Sequence, residues 1–101
     1  MLVQEVVTDF TPAEVLDRAR EFFLTRFSPY GASVEQESEG HIKFHNEAAE
    51  VVIGVVPQES RTLVRGSSSR MHHEVSQFLV TLAPPEDVRQ NLVGPGVSGA
   101  G

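Results

Sequence analysis

Four histidines and fourteen carboxylates are the side chains from which this 101-residue chain could build chemistry. His41, Lys43 and His45 alternate, so they share one face of an expected strand. Residues four apart on a strand are separated by about 13 Å, whereas the ligands of one zinc ion each lie about 2 Å from it, so His41 and His45 do not share a metal. His72 and His73 are neighbours on an expected helix and point about 100° apart, which also fails to make a two-ligand face. Gly66-Ser67-Ser68-Ser69-Arg70, placed before that helix, has the backbone N–H groups, hydroxyls and charge to cradle an anion. The simpler role is a helix start, with Ser68 or Ser69 as N-cap. Glu14, Asp17 and Glu21 occupy the solvent side of a helix, where Glu14 can pair with Arg18 one turn on. No Ser-His-acid set, phosphate-binding glycine loop or dinucleotide fingerprint is present. Without cysteine there is no thiolate ligand, disulfide or Cys nucleophile. The expectation is a protein that is not an enzyme and holds no metal or cofactor.

The elements that would position any site begin with Phe10 to Phe27. Thr11 and Glu14 have the spacing of a capping box, Pro12 suits the first helical position, and Phe10 and Val15 stand as a hydrophobic staple. Val15, Leu16, Ala19, Phe22, Phe23 and Phe27 fall within one arc of this helix. Ser28-Pro29 should end it, with Tyr30-Gly31 as a turn. A second helix shows Met71, Val75, Phe78, Leu79 and Leu82 at helical spacing before Pro84-Pro85. Strands are expected over Leu2 to Thr8, Ala32 to Glu37, His41 to His45, Glu50 to Val56 and Arg61 to Gly66. Ile42 and Phe44 should point inward, and Glu50 to Val56, apolar on both faces, should be central. Pro57-Gln58-Glu59-Ser60 reads as a turn. Glu86 to Val93 reads as a helical turn or two, and 94–101 as a flexible glycine-rich tail on a single domain spanning 1–93.

The order β-α-β-β-β-β-α predicts an α+β fold, a five-stranded antiparallel sheet in the order 1-5-4-3-2 with both helices packed on one face. Over Leu2 to Ala83 this order resembles the small helix-grip folds, the START-like and polyketide-cyclase-like superfamily in shortened form, or the repeat of the TATA-box-binding-protein-like fold. The first resemblance implies a cavity between sheet and last helix. The second implies DNA on the outer sheet face, but Glu35 and Glu37 are expected on that face.

Bulk numbers narrow the partners. Fourteen acids against eight bases give a net charge of −6, a field that repels phosphate backbones and anionic membranes. No apolar run approaches the roughly 20 residues of a membrane-spanning helix, Met1-Leu2-Val3-Gln4-Glu5 does not read as a secretory leader, and a cytoplasmic location is the default. With the first strand beside the fifth, Val3, Val7, Val52, Val56 and Leu63 should collect on the face away from the helices, with Arg61 and Arg65 able to meet Glu5. Five apolar side chains together in water would mark a surface for a protein partner or a second copy, unless side-chain stems and sheet twist divide them. The leading expectation is therefore a non-enzymatic interaction module, a homodimer or a small accessory subunit. The rival is a carrier holding a small apolar ligand between the second helix and the sheet, lined by Phe44, Ile53, Val64, Phe78 and Leu82.

Overall fold

A computed structural model of the chain describes residues 2–26, 33–46 and 49–92. The elements follow in the order β1 (Leu2–Thr8), α1 (Pro12–Arg26), β2 (Ser33–Glu37), β3 (His41–His45), β4 (Glu50–Gln58), β5 (Arg61–Ser68), α2 (His72–Leu79), a 3-10 turn (Pro85–Asp87) and β6 (Arg89–Leu92). The fold is α+β, and β1 to β5 are antiparallel in the expected order 1-5-4-3-2. A sixth strand extends that sheet, because β6 pairs antiparallel with the free side of β1, from Leu2 opposite Leu92 to Glu5 opposite Arg89. This corrects the helical reading of Glu86 to Val93 over Arg89–Leu92, while a single 3-10 turn at Pro85–Asp87 keeps its start helical. The open edge of β1 offers N–H and C=O partners that an exposed helical turn lacks, so the chain extends after Asp87. The expected tail and the helix stop at Ser28 to Gly31 lie outside the described residues.

Helix α1 starts as its residues dictate. The Thr11 N–H donates to Glu14 Oε1 at 2.9 Å, and the Glu14 N–H donates to Thr11 Oγ1 at 3.2 Å. The Thr11 backbone N–H first, and the Thr11 hydroxyl beside it second, hold the Glu14 carboxyl below its ordinary pKa. Phe10 packs against the core, and the Arg18 guanidinium lies 4.0 Å from the centre of its ring. Thr11→Ala should cost on the order of 1 kcal/mol in denaturant unfolding. By NMR titration it should also move the Glu14 pKa part of the way toward its unfolded value, since alanine removes the hydroxyl and keeps the backbone N–H of residue 11. Because the folded value is the lower one, the cap's charge-dependent contribution is present above the unfolded pKa and is lost as pH falls through the folded one. An unchanged midpoint with an unmoved Glu14 titration would dismiss the capping box.

Strand parity places the core. Val6, Ile42, Phe44, Val51, Ile53, Val55 and Val64 point to the helix side and are buried with Val15, Leu16, Ala19 and Phe23 of α1 and Val75, Phe78 and Leu79 of α2. Phe23 sits at the centre of the aromatic contacts, its ring 5.0 Å from those of Phe22 and Phe44 and 5.5 Å from that of Phe78. The helix side of β1 and β5 also carries polar residues whose hydrogen bonds fasten the connections. Gln4 Nε2 donates to the His72 carbonyl at 2.8 Å, Thr8 Oγ1 to the Leu82 carbonyl at 2.8 Å, and Thr62 Oγ1 to the Phe10 carbonyl at 2.7 Å. Buried hydroxyl and amide groups are thereby satisfied, and both helices are tied to β1 and β5.

Three local readings change. Ser68 belongs to β5, and its Oγ accepts the N–H groups of Arg70 and Met71, while the N-cap of α2 is Met71, whose side chain makes no capping hydrogen bond. The expected turn at Pro57 to Ser60 shrinks to Glu59-Ser60, with Glu59 at φ 54°, because Pro57 and Gln58 pair with Thr62 and Arg61. In β2 the register shifts between Val34 and Gln36, which puts Glu37 opposite the inward Ile42. Glu37 therefore leaves the outer face and pairs with Arg20 of α1.

Candidate functional site

The face away from the helices is built by register. Val56 stands opposite Leu63 and Leu63 opposite Val7, so these three side chains form one row across β4, β5 and β1. Val56 is 53% exposed, while Leu63 and Val7 are half-buried. The next row of this face runs His41, Gly54, Arg65, Glu5 and Arg89 across five strands. Beyond it Lys43, Val52, Ser67 and Val3 stand in line. The five apolar residues expected to sit together are thus divided, a row of three at one end and Val52 and Val3 at the other, with a charged row between.

Three of the cations on this face, Lys43, Arg61 and Arg65, are matched locally. Arg65 Nε donates to Glu5 Oε2 at 2.7 Å, as expected, but Arg61 turns to Asp9 at 2.9 Å rather than to Glu5, because Glu5 lies opposite Arg65, four residues along β5. Lys43 stands 3.4 Å from both Glu35 and Glu50. Partial loss of water pulls the Lys43 ammonium pKa down, and the two carboxylates together outweigh it, leaving the pKa above its ordinary value. Arg89 has no ion-pair partner among the described residues. It borders an open cleft of about 360 Å³ that continues the apolar row, with Val7 and Leu63 below, Arg61 and Glu5 beside, and Glu86 and Asp87 of the 3-10 turn at the lip.

Arg89, Glu86 and Asp87 were not foreseeable as part of this surface, since only the pairing of β6 with β1 carries them there. On the helix side, the five residues named as a ligand lining are packed: Phe44, Ile53, Val64, Phe78 and Leu82 are 0 to 7% exposed. The cavity touching Phe44, between β3, β4 and Met71, has about 10 Å³, room for one water. Of the histidines, His41 shares a hydrogen bond of 2.7 Å with Ser38 through Nδ1, and His45, His72 and His73 are exposed. Among the described residues no three His, Asp or Glu side chains are grouped to hold a metal ion, and no helix is long and apolar enough to cross a membrane.

No protein-family model matches the chain, and no curated protein matches it.

Proposed function

We propose that the protein is a non-enzymatic interaction module that binds another protein surface through the outer face of its sheet. The observation that carries this reading is the row Val56, Leu63 and Val7, apolar, in register, and not covered by a helix among the described residues. Beside the row Arg65 pairs with Glu5 and Arg61 with Asp9, which keeps those charges from being stranded when water leaves and leaves Arg89 as the cation a partner would have to meet. The helix-grip resemblance belongs to the rival reading of an apolar-ligand carrier, for which the packed interior beneath α2 offers little support.

The test uses Val52→Lys combined with Leu63→Glu, both on the outer face. Each side chain is half-exposed in the isolated chain, so the fold should persist, with circular dichroism unchanged. At a packed contact a buried charge costs several kcal/mol. Protein purified from its source and weighed by native mass spectrometry should therefore lose its bound protein in the double variant. A variant that keeps the wild-type assembly and still carries an apolar ligand would replace this reading with the carrier.

A further inference from the structure

Five charged side chains line the cleft that continues the apolar row, and they divide by the segment that carries them. Glu5 of β1 and Arg61 of β5 are paired, with Arg65 and Asp9. Glu86, Asp87 and Arg89, all within residues 85–92, have no ion-pair partner among the described residues. Register explains where they stand. Glu5 lies opposite Arg89 and the two strands are antiparallel, so the chain before Arg89 runs toward Val7, the end of the row. An apolar surface pressed onto Val7 and Leu63 would strip water from these three charges and leave them unmatched, which opposes the contact.

The same segment is lightly held. β6 is an edge strand of four residues that pairs with β1 alone. Arg89-Gln90-Asn91 contains no β-branched or aromatic residue, and among the described side chains of the segment Val88 is the one that packs against the core. β1 does not depend on β6, because β5 pairs with it from Leu2 to Thr8. Release of β6 therefore loses the pairing of four residues, regains their conformational entropy, and leaves five strands and both helices in place.

From this coincidence of unmatched charge and weak attachment we propose that residues 85–92 form an autoinhibitory strap. Closed, it holds Glu86, Asp87 and Arg89 around the end of the apolar row, and local release of β6 carries them away and opens the row. This concerns the regulation of the face described under the proposed function and rests on that reading. Release also frees the side of β1 from Leu2 to Glu5, whose backbone N–H and C=O groups then stand beside the uncovered row. The charges that remain around Val7 and Leu63 are the paired ones, which can be buried together.

Hydrogen exchange of the purified full chain tests the release. Amides of β6, and those of β1 that donate to it, should be on the order of 100-fold less protected than amides of β4. Their exchange should depend little on urea, since a local opening exposes little surface. Val3 stands opposite Asn91, and Cα atoms directly opposite in an antiparallel pair lie about 4.5 to 5.5 Å apart, within the span of a disulfide. The sequence has no cysteine, so Val3→Cys with Asn91→Cys makes a single lock. Oxidation should abolish the difference in protection, and reduction should restore it. Returned to an extract of its source and weighed by native mass spectrometry, the reduced pair should bind protein and the oxidised pair should not. Amides of β6 as protected as those of β4 in the wild type would overturn the strap, whatever the locked variant does. A locked chain that binds as the reduced one does, while Val52→Lys with Leu63→Glu does not bind, would overturn the inhibition and leave the interaction surface standing. Binding retained in that outer-face double variant would remove both readings.

Discussion

Phe78→Ala should lower the unfolding free energy by about 3 to 5 kcal/mol, the largest effect of any single truncation considered for this chain. Phe78 is fully buried, and its ring lies 5.4 Å from Phe22 and 5.5 Å from Phe23, through which α2 is joined to α1 and, by way of Phe44, to β3. Truncation removes both the transfer term of the ring and the contacts that surround it. An open groove of about 300 Å³ between the helices, bordered by Arg18, Phe22 and Thr81, lies directly outside. Half-buried Phe22 can move inward from that groove, which sets the expectation toward the lower end of the range. Since small domains have roughly 5 to 15 kcal/mol in total, the variant should lose a large share of its stability and unfold at a markedly lower urea concentration with little change in slope. A loss below about 1 kcal/mol would mean that α2 does not close this core. The measurement is independent of what the outer face binds.

Much of this architecture was legible because period and punctuation agree. Alternation in β3, β4 and β5 assigned Ile42, Phe44, Val51, Ile53, Val55 and Val64 to the core, and burial follows that assignment without exception. Thr11 with Glu14 marked the start of α1, and both hydrogen bonds of the box are present. β6 was illegible for a physical reason. Arg89-Gln90-Asn91-Leu92 has neither period-two apolar patterning nor β-branched residues, and its extension comes from the edge of β1, a partner far away in sequence. The bulge in β2 has no glycine to announce it, so Glu37 was assigned to the wrong face.

The candidate site was legible by face and illegible by register. A turn of four residues at Pro57 to Ser60 would set Val56 opposite Arg61, whereas the two-residue turn sets it opposite Leu63. The two pairings differ by two residues, so every side chain keeps its face and changes its neighbours. That difference decides whether the apolar side chains form a row or alternate with arginines. Proline at position 57 argues for a turn, yet its place near the end of β4, with Glu59 accepting positive φ, lets the ladder run on. Arg61 pairing with Asp9 follows from the register of β1 with β5, in which Thr8 stands opposite Thr62 and Asp9 and Arg61 are the next residues out.

Gly66 should be nearly as intolerant as Phe78, although nothing in its sequence neighbourhood says so. It lies on the helix side of β5, opposite Ile53 of β4 and Gln4 of β1, directly beneath α2. A Cβ built on it would stand 2.5 Å from Val75 Cγ1 and 3.3 Å from Ile53 Cδ1. The first distance is far inside van der Waals contact, and Val75 is fully buried and stiff at χ1, so it cannot turn aside. Relief requires α2 to lift from the sheet, which also strains the Gln4 hydrogen bond to the His72 carbonyl. Gly66→Ala should therefore destabilise by about 1 to 3 kcal/mol, although alanine is otherwise the better residue in a strand. Val75→Ala alone opens a small void and should also destabilise. In Gly66→Ala with Val75→Ala the added methyl fills the space vacated by Val75, so the double variant should be less destabilised than the sum of the singles by about 1 kcal/mol or more. Strict additivity in urea unfolding would show that the close approach of α2 to β5 at Gly66 is not what excludes a side chain there.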